Sequence, residues 1–427
     1  MTNRNIDPVN ASYPALSFQS MRGLSLIELL IALALSLTLI IGVLTIYMDS
    51  NDASRTSTAL ARVQEGARIG LEMLSREVRM SGFQGCPEPY TTPLNVIAAN
   101  PPPSLAPAAG STNSYLLNTS IQGWEVTPAN RSNWANGADF DGVAGITSGT
   151  SQAIADSDVL MVQRFRLLDA QISADMASEV ADIVITDPAG VFGSGRPFAA
   201  GSMLMIGNCE ALDLFRLSAD PAGAPLRLRH QTPINTTANL SRAYLSGEDA
   251  QLYALQSSVY FVGDTGRDDD RGDPIFALYR ATNDFPNAAN PSFTVEELVE
   301  GVESLQIQYG IRRDAPSNQV EFVTADALTP LEWREVVSVR VGVLVSGVES
   351  ILIEDDDNTY DLPGARFTDV GANTDFAHAA DRRLRKAFTS SLDIRNRQCG
   401  SFKQLPGTAL WEWDNADNTN ADGDPCS

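Results

Sequence analysis

The sequence predicts an α+β protein, one long N-terminal helix followed by a large and mostly antiparallel β-sheet domain. Residues 24–48 form an unbroken apolar run. Between residues 60 and 78, apolar positions recur every three or four residues. Beyond residue 157, short β-branched and aromatic runs alternate with turn residues, with no regular helices between most of them. Helix first, sheet afterwards is the order these patterns give.

The apolar run from Leu24 to Met48 carries only two ionisable side chains, Glu28 and Tyr47. As a helix it would be roughly 37 Å long, enough to cross a bilayer with some tilt. It is too long for a secretory signal, and no small-residue cleavage site follows it. Upstream, Arg4 and Arg22 against Asp7 favour keeping residues 1–23 cytoplasmic, which places the rest of the chain outside. A carboxylate inside such a run is costly and marks a functional position.

The second half of the helix is amphipathic. Leu60, Val63, Ala67, Leu71, Leu74 and Val78 make one stripe, while Arg62, Glu65, Arg68, Glu72 and Arg76 mostly fall off it. Asp49 to Ser54 offers a place for a break, and Gly82 and Gly85 signal the end. From Cys86 to about Ser157 the composition is that of long loops. Strands are expected at 158–165, 181–187, 202–208, 212–218, 258–263, 274–281, 304–311 and 336–347, with short helices at "VEELVEGVES" (295–304) and within "DFAHAADRRLRKAFTSSLDI" (375–394).

Composition restricts function. A formal charge of -23 over 427 residues argues against nucleic acid as a primary ligand. Two isolated histidines, His230 and His378, supply little for a metal or acid/base centre and read as structural. No GxSxG, HExxH or P-loop pattern occurs. Acidic runs at 264–273, 354–361 and 414–424 read as solvated loops; Asp422, Gly423 and Asp424 resemble only a fragment of a calcium loop, so no metal or cofactor is assigned. Arg271 to Asp273 spells "RGD", which reads as a turn. Cys86, Cys209, Cys399 and Cys426 lack CxxC spacing and read as two disulfides made in an oxidising compartment, with three connectivities open. The preferred pairing joins Cys86 to Cys209, pinning helix to sheet, and Cys399 to Cys426, tying down the tail.

The string Gly23, Leu24, Ser25, Leu26, Ile27, Glu28, Leu29, Leu30 resembles the class III signal of type IV pilins and type II secretion pseudopilins. The resemblance implies cleavage after Gly23 by a prepilin peptidase, N-methylation at Leu24, and a retained fifth-position glutamate at Glu28 that acts in assembly register. Leu24 stands where the family usually has phenylalanine. Further along, "PIFALYRA", "EELVEGVESLQIQYGI", "WREVVSVRVGVLVSG" and "RRLRKAFTSSLDIRNR" are similar, in order and content, to the PilW type of minor pilin. The implied layout is a leader (1–23), a membrane and assembly helix (24–48), its amphipathic continuation (49–80) and an extracytoplasmic β-rich domain (81–427). The implied role is that of a non-enzymatic minor pilin in the bacterial inner membrane and then in the pilus, helping to initiate or cap assembly. Its partners would be other pilins and minor pilins, the prepilin peptidase, the inner-membrane assembly platform and membrane lipid. A type II secretion pseudopilin and a signal-anchored periplasmic binding protein or enzyme are the alternatives.

Overall fold

The computed structural model describes residues 25–86, 94–101, 113–114, 120–149, 151–193, 196–283, 293–312, 320–330, 332–368, 376–397, 401–404 and 411–414. Helix α1 runs unbroken from Leu26 to Met80. The polar residues Asp49 to Ser54 are helical and exposed, so no turn forms there. Such side chains compete with the helix only when they fold back on the backbone, and here the helical ladder runs through them. The chain divides into two compact units, residues 1–55 and 56–427.

Within the second unit, α1 buries Val63, Ala67, Gly70, Leu74, Glu77 and Val78. Its spacing makes one stripe, and that stripe enters the main core beside Leu278, Val299, Leu305, Ile307, Val341 and Val343. Gly70 faces Leu278 and Val299 at ordinary contact distance. The helix stops where Gly82 takes a positive φ of 74°, and the Gly82 N–H donates to the Gln163 carbonyl at 2.9 Å.

Eleven strands form the largest sheet: β1 (Leu94–Val96), β2 (Asn113–Ser114), β3 (Ile121–Val126), β4 (Ser157–Ile172), β5 (Ile183–Thr186), β6 (Met203–Gly207), β7 (Leu212–Arg216), β8 (Leu226–Leu228), β9 (Gln251–Asp268), β10 (Pro274–Asn283) and β11 (Thr294–Glu300). Long β4 and β9 pair antiparallel at its centre; β3 lies against β4, and β10 against β9. A second sheet takes the order β13 (Val320–Val323), β12 (Val302–Arg312), β14 (Val336–Ser350), then β18 (Arg383–Asp393). Between β14 and β18 come β15 (Tyr360–Leu362), β16 (Ala365–Thr368) and β17 (Phe376–Ala377), a small sheet of their own. Both large sheets and α1 contribute to one core. The strand expectations at 158–347 agree with β4, β5, β6, β7, β9, β10, β12 and β14.

The two expected short helices are strands instead. Residues 295–304 become β11, a turn and the start of β12. Gly301 sits at φ 84° so close to the Ser346 carbonyl that a Cβ would collide with it, which ends any helix there. Across the hairpin Glu296 meets Arg280, and Glu297 reaches Arg267 at the end of β9; with the β10 ladder these pairs outweigh the helix propensity of Glu and Leu. Residues 383–393 pair with β14 along their length. Arg383 and Arg385, two apart, point the same way only on a strand, and both enter a buried charge network.

Candidate functional site

At the N-terminal end, Gly23 and Leu24 lie outside the described residues. Glu28 is exposed in the first turn of α1. The Ser25 N–H donates to Glu28 Oε2 at 3.0 Å, and the Ile27 N–H donates to Ser25 Oγ at 3.4 Å. This is a capping box, in which Ser25 and Glu28 satisfy helix-end donors reciprocally. A carboxylate there also faces the positive end of the helix dipole. Its sequence signal is Ser-x-x-Glu ahead of an apolar run, a second role for Glu28 beside the register role that the resemblance implies.

The hydroxyls that follow are internally bonded. Ser36 donates to the Ala32 carbonyl at 2.7 Å, Thr38 to Leu35 at 2.8 Å and Thr45 to Ile41 at 3.0 Å. From Leu26 to Met48 the large apolar side chains are exposed, Leu26 at 76% and Ile46 at 70%. The helix is long and apolar enough to be a membrane anchor, and within that run Glu28 is the carboxyl side chain at its head.

At its C-terminal end α1 is locked to the β-domain. Glu77, buried on the helix, meets Arg164 of β4 at 3.3 Å. Asn396 Nδ2 donates to the Ser81 carbonyl at 2.8 Å. Cys86 and Cys209 are joined as a disulfide with Cα atoms 4.8 Å apart, a link between the helix end and the loop after β6. Such a bond typically contributes about 2–4 kcal/mol by restricting the unfolded chain. Cys399 and Cys426 lie outside the described residues.

Most of the acidic runs at 264–273 and 354–361 is exposed, as expected of solvated loops, but one carboxylate in each turns inward. The Asp269 side chain and Asp356 are buried, and each meets an arginine of β18. Arg383 lies 2.9 Å from Asp269, and its guanidinium also donates to the carbonyls of Pro274 and Asp273. Arg385, fully buried, contacts Glu303 at 2.7 Å, Asp381 at 2.7 Å and Asp356 at 3.3 Å. Burial alone would raise the Asp269 carboxyl; the N–H groups of Asp273 and Arg271 and the Arg383 guanidinium outweigh it and hold the group at about 2. Asp356 is likewise lowered against burial by Asn358, Tyr360 and Arg385. The "RGD" tripeptide is the turn between β9 and β10, with Asp269 Oδ1 accepting from the N–H groups of Arg271 and Asp273. The third acidic run, 414–424, lies almost wholly outside the described residues.

Neither histidine belongs to a reactive constellation. His230 is buried, with Nε2 2.9 Å from the Ala181 carbonyl and its ring edge-on to Phe215. His378 sits between the carbonyls of Asn358 and Ala379 at 2.8 and 3.0 Å. Among the described residues no three His, Cys, Asp or Glu side chains converge as metal ligands.

Fold and site together define a protein with one N-terminal helix able to anchor in a membrane and a large antiparallel β-domain fixed to its second half. Residues 259–396 match the family model PilW, described as Type IV Pilus-assembly protein W, which supports a PilW-type pilus protein related to type IV pilus assembly. The match runs from within β9 to the end of β18, so it includes every member of the Arg383 and Arg385 network. No curated protein and no solved structure matches the chain.

Proposed function

We propose that this protein is a minor pilin, processed between Gly23 and Leu24, that enters the type IV pilus through α1 and helps to initiate or cap its assembly. The observation that carries the reading is the conjunction of a PilW match with a wholly exposed apolar helix half headed by Glu28. Uncovered apolar side chains in water cost about 1.5–3 kcal/mol each, so that surface belongs to lipid before assembly and to neighbouring helices after it.

Processing would free an amine at Leu24. The Glu28 carboxylate of an adjacent subunit offers it a counter-charge in one axial register, so the pair would set how far subunits slide past one another. The capping contact with Ser25 fits this role, because it holds Glu28 at the helix head. N-methylation at Leu24 would keep the positive charge. The large domain would face the periplasm and then the cell exterior, with other pilins, minor pilins, the prepilin peptidase and the assembly platform as partners.

The PilW match favours the pilus over type II secretion. A strain lacking this chain should show few surface pili with the major pilin retained in the membrane, and the wild-type chain should restore piliation while Glu28→Ala does not. Normal piliation in the deletion strain, with lost protein secretion, would overturn the reading in favour of the pseudopilin.

A further inference from the structure

The β3 edge of the large sheet meets the second sheet through acids, with no cation between them among the described residues. Glu125 of β3 and Asp158 of β4 are directly opposed in the antiparallel register, so their side chains leave the same face. Asp158 Oδ2 accepts from the Ile307 N–H of β12 at 2.7 Å. Glu125 Oε1 accepts from the Ala325 N–H at 3.0 Å, at the head of the short helix Ala325–Ala327. Each carboxyl therefore reaches from the large sheet to an element of the second sheet or its adjoining turn.

Among the described residues the titratable groups facing Asp158 are Glu125 from β3, Asp326 from the short helix and Tyr309 from β12. Tyr309 is fully buried and its hydroxyl has no partner among the described residues. Asp158 itself is 4% exposed. A charged Asp158 so placed is repelled by Glu125 in a dry joint, whereas a proton on Asp158 lets it donate to Glu125 instead.

We propose that Asp158 and Glu125 form a proton-operated latch that tightens the joint between β3, β12 and the 325–328 turn in acid and loosens it as the pH rises. Burial first, and then Glu125, pushes the Asp158 carboxyl well above the usual carboxylate range. A raised folded-state pKa means that the latch's stabilisation is complete below the unfolded value of about 4 and is lost as pH climbs through the folded one. Across that interval the opening equilibrium shifts about tenfold per pH unit.

The test uses the detergent-solubilised full chain between pH 5 and 8. Thermal midpoints are measured for the wild type, Asp158→Asn and Glu125→Gln, with hydrogen exchange of residues 121–126 and 325–328 corrected for the intrinsic pH dependence of exchange. Asp158→Asn keeps the acceptor for Ile307 and replaces the proton on Asp158 with a permanent donor. The expected result is a wild-type midpoint that falls with pH, a flatter profile in the variant, and loss of wild-type protection in both segments by about tenfold or more. An Asp158→Asn profile parallel to the wild type, or protection that does not change with pH, overturns the latch. If Asp158→Asn does not fold, Glu125→Gln carries the same two expectations.

Discussion

Two regions of this protein invert the usual arrangement of polar and apolar groups, in opposite senses. The first half of α1 holds leucine and isoleucine outside, while the joint of β12 and β18 holds arginine and aspartate inside. The difference lies in where each finds its partner. Arg383 and Arg385 are matched within the chain by Asp269, Glu303, Asp356 and Asp381. Among the described residues the first half of α1 is uncovered, and on the proposed function lipid and neighbouring helices cover it. An inverted region thus reveals whether the protein is completed by itself or by another body.

The largest effect should come from opening the internal region. Arg385→Ala leaves Glu303, Asp356 and Asp381 short of a counter-charge in a buried site, and should cost about 3–5 kcal/mol in urea unfolding of the solubilised chain. Arg366→Ala, which removes an exposed pair with Asp361, should cost at most about 1 kcal/mol. Equal losses in the two variants would mean that the buried network is no more than a set of surface pairs.

Next in size is the contrast along α1 itself. Leu74 is fully buried in the main core, so Leu74→Ala should cost about 2–5 kcal/mol in the same assay. Leu33→Ala, in the exposed half, should leave that transition unmoved and affect only membrane retention or assembly. A shared loss would show that the exposed half already has a partner inside the protein.

The pH dependence separates the network from the acid latch. Asp269 and Asp356 have lowered values, so their contribution is present above about pH 4 and is lost as pH falls, for Asp269 towards about 2. Asp158 has the opposite sign. Wild-type stability should therefore fall on both sides of a mildly acidic optimum, and Arg383→Met should flatten the acid limb alone.

The smallest expected change is a gain. Gly70 is helical, and an added Cβ would meet Leu278 and Val299 at 3.5 and 3.7 Å, ordinary contact. Gly70→Ala should stabilise by up to about 1 kcal/mol through helix propensity. A loss measured by thermal unfolding would show that α1 packs closer to the sheet than its contacts indicate.

Much of this was legible in residue order. The stripe from Val63 to Val78 predicted which face of α1 is buried, and period-two runs marked the long strands, because both signals are local. The two misplaced helices failed for a non-local reason. "VEELVEGVES" and "DRRLRKAF" are good helix formers, and only the arginines of neighbouring strands and the acids of distant loops make them strands. Within the acidic runs only the inward turn of Asp269 and Asp356 escaped the sequence, because their partners Arg383 and Arg385 lie far along the chain. At the N-terminal site, Glu28 stood out by its charge and by its place after Gly23, while its contact with Ser25 depends on the helix starting at Leu26.

The central claim is that the exposed half of α1 belongs to a processed filament subunit. Intact mass and N-terminal sequencing of the protein from membranes, with and without an active prepilin peptidase, test it most directly. A peptidase-dependent start at Leu24, carrying one added methyl group, is the predicted result. An uncut N-terminus, or a cut near residue 50 that removes the apolar half, would contradict it.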